Sequence, residues 1–217
     1  MIRRVPDPTC LSIQPHVAPE IIDLPDGELA FYCDAGLRDT DQLLTRLIDT
    51  VHWRQEHITL FGKTHPQPRL IAWHGDEHAH YSYSGLQHSP LPWTRELAAL
   101  REALQRLCDA SFNSVLLNLY RDGADSMGLH ADDEPELGPQ PVIASLSLGA
   151  TRRMYFQHKT KRHLPTQQLD LPDGSLLIMR GTTQQHWKHG IRKARGCRQA
   201  RINLTFRLVD TQVPGAR

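Results

Sequence analysis

The chain predicts a mainly β fold with flanking helices, of the sandwich or jelly-roll kind. From residue 114 onward the apolar residues gather in short β-rich runs, Ser114–Tyr120, Val142–Leu148, Arg153–His158, Gly174–Met179 and Arg201–Val209, separated by Gly, Pro and Asp turns. Segments of clear helical spacing occur only before residue 111. Strands that follow one another with little helix between them argue against a doubly wound parallel sheet.

Residues 1–27 are rich in Pro and Asp and lack helical periodicity, so they read as an extended arm ending at the turn Pro25-Asp26-Gly27. A short strand, Glu28–Tyr32, follows. Leu43, Leu44, Leu47 and Val51 share one helical face, which predicts a helix capped by Thr40 and running to about Trp53. Leu97, Leu100, Leu104 and Leu107 mark a second amphipathic helix between Trp93 and Ala110, capped by Thr94. These helices are expected to buttress the sheet. The length of 217 residues, 39% of them apolar, suits one domain: the arm, an N-terminal extension over 28–112, a core over 113–209 and a tail over 210–217.

The formal net charge of +1 conceals an uneven distribution. Residues 151–169 carry five Lys or Arg and no acid, residues 174–209 carry eight and no acid, and residues 122–136 hold six acids. Basic stretches flanking an acidic segment suit a polyanion laid across a site with an acidic centre, though a solvated basic face has the same composition. Cys10, Cys33, Cys108 and Cys197 are widely spaced and form no C-x-x-C pair, so neither a zinc knuckle nor a disulfide framework is expected. The N-terminus lacks the apolar core of a secretory signal, and no apolar run approaches a membrane span. A soluble, cytoplasmic protein without membrane contact is expected.

His130 and Asp132, one residue apart, stand upstream of His186 and His189, and Arg201 and Arg207 lie in the last apolar run. Two imidazoles and one carboxylate are the ligand set of non-haem Fe(II) sites that keep open positions for a cosubstrate and oxygen. On a strand, His-x-Asp would put both side chains on one face. The third ligand would come from either downstream histidine. Arg201 and Arg207, six apart, can likewise share a face, and a guanidinium fork suits a carboxylate. A zinc hydrolase could use the same three ligands, but would have no evident need for the arginine pair.

Several segments together closely resemble the AlkB-type Fe(II)/2-oxoglutarate dioxygenases: Asn118-Leu119-Tyr120-Arg121-Asp122-Gly123, His130-Ala131-Asp132-Asp133-Glu134, Ile143–Gly149, Gly174–Met179, His186-Trp187-Lys188-His189 and Arg201-Ile202-Asn203-Leu204-Thr205-Phe206-Arg207. The resemblance covers roughly residues 58–209, and the closing R-x-N-L-T-F-R run is its most specific part, since a lone H-x-D recurs by chance. It implies a double-stranded β-helix, or jelly roll, with an N-terminal helical and β-hairpin nucleotide-recognition lid. It makes His130, Asp132 and His189 the metal ligands and catalytic centre, leaving His186 outside it. Arg201, Arg207, Asn118, Tyr120 and Asn203 become the 2-oxoglutarate-binding residues. Fe(II), 2-oxoglutarate and O2 are the implied cofactors.

The activity implied by the resemblance is oxidative demethylation of bases such as 1-methyladenine and 3-methylcytosine in DNA, with release of formaldehyde, succinate and CO2. The methyl group sits on the pairing edge, so the base must be flipped or unpaired. Such bases are cationic, which favours Glu134, then Asp133, as recognition carboxylates. The segment Tyr81–Gly85 resembles a stacking segment of duplex-acting relatives and assigns stacking to Tyr83. Leu60-Phe61-Gly62-Lys63 resembles their apolar finger, with Phe61 as a wedge in the base stack and Arg69 as a phosphate contact. A monomer acting on DNA is expected. The alternatives are an RNA demethylase, a catalytically silent nucleic-acid-binding module, or an oxygenase of the same fold acting on a protein or small molecule.

Overall fold

The computed structural model describes residues 11–60, 62–79, 81–83 and 86–210. In chain order the first half holds β1 (Glu20–Leu24), β2 (Gly27–Tyr32), α1 (Thr40–Thr50), β3 (His57–Leu60), β4 (Lys63–Pro66), β5 (Leu70–Gly75), β6 (Tyr81–Tyr83), β7 (Leu86–His88) and α2 (Arg95–Cys108). The second half holds β8 (Ser114–Tyr120), β9 (Met127–His130), β10 (Ile143–Gly149), β11 (Arg152–His158), β12 (Gln167–Leu171), β13 (Leu176–Arg180), α3 (Thr183–His186), β14 (Trp187–Ile191) and β15 (Arg201–Arg207).

A seven-stranded sheet runs in the order β1-β2-β13-β10-β15-β8-β5 and a four-stranded sheet in the order β12-β11-β14-β9, every neighbouring pair antiparallel. The period-2 alternation of the central strands explains the layering. Leu117 and Leu119 of β8, Leu146 and Leu148 of β10, and Ile202, Leu204 and Phe206 of β15 join Leu43 and Leu47 of α1 and Leu97, Leu100 and Leu104 of α2 in one buried cluster. Each such leucine contributes about 1.5–3 kcal/mol by its burial, which fixes the two helices against the outer face of the large sheet. A second cluster, including Phe31, Tyr120, Ile143, Met154, Phe156, Met179 and Trp187, fills the space between the two sheets.

The alternate residues of the three central strands, Asn118 and Tyr120, Ser145 and Ser147, and Arg201, Asn203, Thr205 and Arg207, are therefore turned away from the helices. The register aligns them: Asn203 stands opposite Asn118 and Ser147, Thr205 opposite Ser145, and Arg201 opposite Tyr120. A polar stripe thus crosses the inner face of an otherwise apolar sheet.

Four local expectations need correction. Residues 20–24, read as part of an extended arm, are β1, which pairs with β2 across the tight turn Pro25-Asp26, where Asp26 takes a φ of 58°. The large sheet also draws β1, β2 and β5 from residues before 113, so strands from both sides of the expected core boundary pair in one sheet. Thr40 does not cap α1: Asp39 is the cap residue, and Thr40 Oγ1 instead donates to Asp173 Oδ2 at 2.5 Å, tying the helix start to the β12–β13 turn. Strands β9, β12 and β14 fall outside the expected runs because they are only four or five residues long and their polar residues and glycines mask the alternation. Thr94 does cap α2, accepting the Leu97 N–H at 3.3 Å. Among the described residues no helix is long and apolar enough to cross a membrane.

Candidate active site

His130 ends β9 and His189 lies mid-strand on β14, directly opposite it in the small sheet. Their rings stand 4.4 Å apart between centroids. The register shifts between His189 and Ile191, as at a β-bulge that re-aims a side chain. Gly190 permits this close approach, since a Cβ there would meet the carbonyl oxygens of Met127 and Gly128 at 2.8 and 2.9 Å.

Asp132 lies beyond the end of β9, so strand alternation does not align it with His130. Two contacts from other elements place it instead. Its N–H donates to Gln184 Oε1 of α3 at 2.9 Å, and its Oδ1 accepts from Arg207 Nη2 of β15 at 2.6 Å. His130 Nε2 is then 3.9 Å from Asp132 Oδ1, and His189 Nε2 is 3.8 Å from Oδ2.

The donor chemistry fits a transition metal. Asp132 Oδ2 is buried without a hydrogen-bond partner, an arrangement that is costly unless a cation meets it. His130 Nδ1 lies 3.1 Å from the Gly128 carbonyl, which assigns its proton to Nδ1 and leaves Nε2 as a ligand atom. Burial and the neighbouring His130 push His189 down to about 3, against the pull of Asp132, so its imidazole is neutral and able to ligate. Burial pushes the Asp132 carboxyl up, but the charges of Arg207, His189 and His130 outweigh it and hold it below the usual carboxylate range.

A second group of similar composition, Asp26, His158 and His186, also brings three ligand atoms together. Its hydrogen bonds argue against a metal. His158 Nδ1 accepts the backbone N–H groups of Lys161 at 2.9 Å and Thr160 at 3.2 Å, so the proton sits on Nε2 and is donated to Asp26 at 3.2 Å. Lys161 also pairs with Asp26 and supplies the cation. The His186 ring lies against His158 at 5.8 Å, away from the first group.

The first group opens on a small pocket whose lining also includes Asn118, Tyr120, Ser145, Asn203, Thr205 and Arg207 of the polar stripe, with Met127, Met154 and Met179. Arg201 does not line it. Its guanidinium sits 5.3 Å from the Tyr120 ring and donates to Ser147 Oγ at 2.9 Å. The Asn203 amide donates to Ser145 Oγ at 2.7 Å and the Leu146 carbonyl at 3.2 Å, and accepts from Thr205 at 3.0 Å. Arg69, expected as a phosphate contact, is 4% exposed and donates through Nε to Asn118 Oδ1 at 2.7 Å. It braces the pocket wall because β5 pairs with β8 and turns its entry inward.

Asp133 is exposed and pairs with Lys159 at 2.6 Å, whose ammonium also reaches the Gln184 carbonyl at 2.7 Å. Glu134 is half-buried and precedes a 3₁₀ turn, Pro135–Leu137. Tyr83 belongs to the hairpin β6–β7, its side chain lying outside what the structure describes. Phe61 lies outside the described residues, between the paired strands β3 and β4. Sequence reasoning missed Gln184, Lys159, Ser145 and Thr205. The inward phase of β10 and β15 was the available signal for the last two.

The comparisons with known proteins agree with this geometry. The family model of the 2OG-Fe(II) oxygenase superfamily matches residues 36–207. Alpha-ketoglutarate-dependent dioxygenase alkB homolog 3 of Mus musculus is 40% identical over 83% of this chain and 65% of its own length. The Homo sapiens protein of that name is 36% identical over 100% of this chain and 78% of its own. DNA oxidative demethylase ALKBH2 of Homo sapiens is 37% identical over 80% of this chain and 70% of its own. The chain thus spans just under two thirds of the mouse relative. The solved structure of OsALKBH1 superimposes with a TM-score of 0.60 at 17% identity, covering 87% of this chain and 99% of that one, and so supports the jelly-roll fold. With the fold, the ligand geometry and these matches in agreement, the chain belongs to the 2OG-Fe(II) oxygenase superfamily, in its AlkB-type branch.

Proposed function

We propose that this protein is a DNA oxidative demethylase that removes methyl groups from the pairing edge of damaged bases. The observation that carries the reading is the trio of half-buried His130 and buried Asp132 and His189, with its partnerless Asp132 Oδ2, opening on the pocket lined by Asn118, Tyr120 and Arg207. These three residues hold Fe(II), and the polar stripe binds 2-oxoglutarate. When bound, iron and 2-oxoglutarate supply the oxidising power that hydroxylates the methyl group, with formaldehyde, succinate and CO2 as products.

The protein's own residues orient and exclude water. Arg207 fixes the Asp132 carboxylate, His130 and His189 offer ring nitrogens, and the Met127, Met154 and Met179 side chains add apolar surface to the pocket wall. Recognition of a cationic base is assigned to Glu134, which is half-buried, before the exposed Asp133. Tyr83 stacks on the flipped base, and Phe61 occupies the gap it leaves. A basic cleft with Arg192 and Lys193, where the Arg192 guanidinium lies 4.0 Å over the Tyr155 ring, adjoins the strands that carry both histidines and suits a phosphate backbone.

DNA is preferred over RNA because relatives covering most of their own length bear the name DNA oxidative demethylase. The test is a comparison of 3-methylcytosine in otherwise identical DNA and RNA oligonucleotides, single-stranded and paired. Faster turnover on DNA supports the reading, and faster turnover on RNA overturns the substrate assignment. Phe61→Ala should slow repair of the duplex more than of the single strand, and equal slowing would remove Phe61 from the flipping step.

A further inference from the structure

Arg152, at the start of β11, is 2% exposed. Its guanidinium donates to three backbone carbonyls, those of Asp122 at 3.0 Å, Asp125 at 2.8 Å and Arg192 at 2.7 Å. The nearby Asp125 carboxylate is taken by Arg121, which grips it with Nε and Nη2 at 2.8 Å each. Among the described residues no carboxylate forms an ion pair with Arg152. Its charge is buried and held by carbonyl dipoles, and the Asp125 carboxylate acts on it only through space.

Arg152 and Arg201 address the same ring. Their guanidinium carbons lie 5.4 and 5.3 Å from the Tyr120 ring centre, and Tyr120 lines the cosubstrate pocket. Arg201 is 1% exposed, and its Nε and Nη1 have no hydrogen-bond partner. Burial pushes Arg201 down to about 10, Tyr120 opposing and Arg152 adding to the fall. Two buried cations beside one pocket wall, with donor atoms unmet, are costly until an anion arrives. Arg207, by contrast, is engaged with Asp132 at the metal end, six residues or about 20 Å along the strand backbone from Arg201.

Two joined loops cover Arg152. The loops at 121–126 and 192–198 are joined by Gly123 N–H to the Cys197 carbonyl and Ala194 N–H to the Gly123 carbonyl, both at 2.8 Å. Only glycine fits at 123, since a Cβ would stand 1.8 Å from the Ala194 oxygen. Arg152 binds carbonyls on both loops and is itself 2% exposed, so its charge is less screened than one in open water.

We propose that Arg152 is a positioning residue for the cosubstrate: with Arg201 it sets the field at the Tyr120 wall of the pocket so that a second carboxylate is favoured there, and a dicarboxylic 2-oxoacid is taken over a monocarboxylic one of equal length. It acts through Tyr120 and Arg201, without touching the ligand. The inference rests on the assignment of this pocket to 2-oxoglutarate.

The experiment is anaerobic calorimetry of the Fe(II)-loaded protein with 2-oxoglutarate and with 2-oxopentanoate, which lacks only the distal carboxylate, for wild type, Arg152→Gln and Arg152→Lys. Arg152→Gln should weaken 2-oxoglutarate binding about tenfold, equivalent to about 1.4 kcal/mol, and leave 2-oxopentanoate unchanged. Arg152→Lys, which keeps the charge but loses the fork, should restore most of the preference. Equal loss for both acids, equal loss in both variants, or a Gln variant that cannot fold would reduce Arg152 to a clamp of the two loops and overturn the proposal. Wild-type protein that binds neither acid would instead sink the cosubstrate assignment itself.

Discussion

Arg207 Nη2 donates to Asp132 Oδ1 across 2.6 Å, and both side chains are nearly inaccessible, at 4% and 3%. The last residue of β15 thereby orients the carboxylate that stands between the two histidines. A buried charge that loses its partner costs about 3–5 kcal/mol. Arg207→Met should therefore raise the Asp132 carboxyl toward neutrality and weaken Fe(II) binding, more at pH 6 than at pH 8. Anaerobic metal titration at the two pH values checks this, and a pH-independent loss would assign Arg207 to cosubstrate alone.

Gln184 is the second support of Asp132, through the backbone rather than the carboxylate. Removing a residue that orients a metal ligand typically costs about 10–100-fold in metal affinity. Gln184→Ala should fall in that range while leaving the folded structure largely intact. Unchanged Fe(II) affinity would show that the loop holds its shape without it.

The histidine pair three residues apart separates by stoichiometry. His186→Ala should retain one iron per chain, because His186 belongs to the group around His158 and Asp26. His189→Ala should lose it. Metal analysis after desalting distinguishes them, and an iron-free His186→Ala protein would reverse the ligand assignment.

Acid stability of the metal-free protein follows from His189. Its ordinary value of 6.5 falls to about 3 in the fold, chiefly through burial. Between those values the unfolded chain binds a proton that the native protein refuses, so stability is fully present above about pH 6.5 and declines as pH drops toward 3. His189→Gln should flatten that decline in denaturant titrations, leaving the loss at lower pH that protonation of Asp132 brings. An unaltered slope would mean that other groups govern it.

Much of this arrangement was legible because strand periodicity is local. The alternation is plain in β15, where Ile202, Leu204 and Phe206 face the helices and Arg201, Asn203, Thr205 and Arg207 face the other way. The donors at 130, 132 and 189 were legible through their motifs, and their convergence is what the fold adds. What stayed hidden depends on contacts distant in sequence. Gln184 reaches Asp132 across 52 positions and Arg69 reaches Asn118 across 49, and neither residue type signals such a role. β1 was hidden for a different reason: its strand is only 5 residues long and its turn, Pro25-Asp26, reads equally as the end of an arm.

The most direct test of the central claim is a reaction of Fe(II)-reconstituted protein with oxygen, 2-oxoglutarate and a DNA oligonucleotide bearing 3-methylcytosine, with product bases, formaldehyde and succinate measured together. Unmethylated cytosine and formaldehyde should appear in equal amounts, strictly dependent on 2-oxoglutarate and absent in Asp132→Ala. Succinate formation without loss of the methyl group from any methylated DNA would leave an oxygenase but contradict the demethylase.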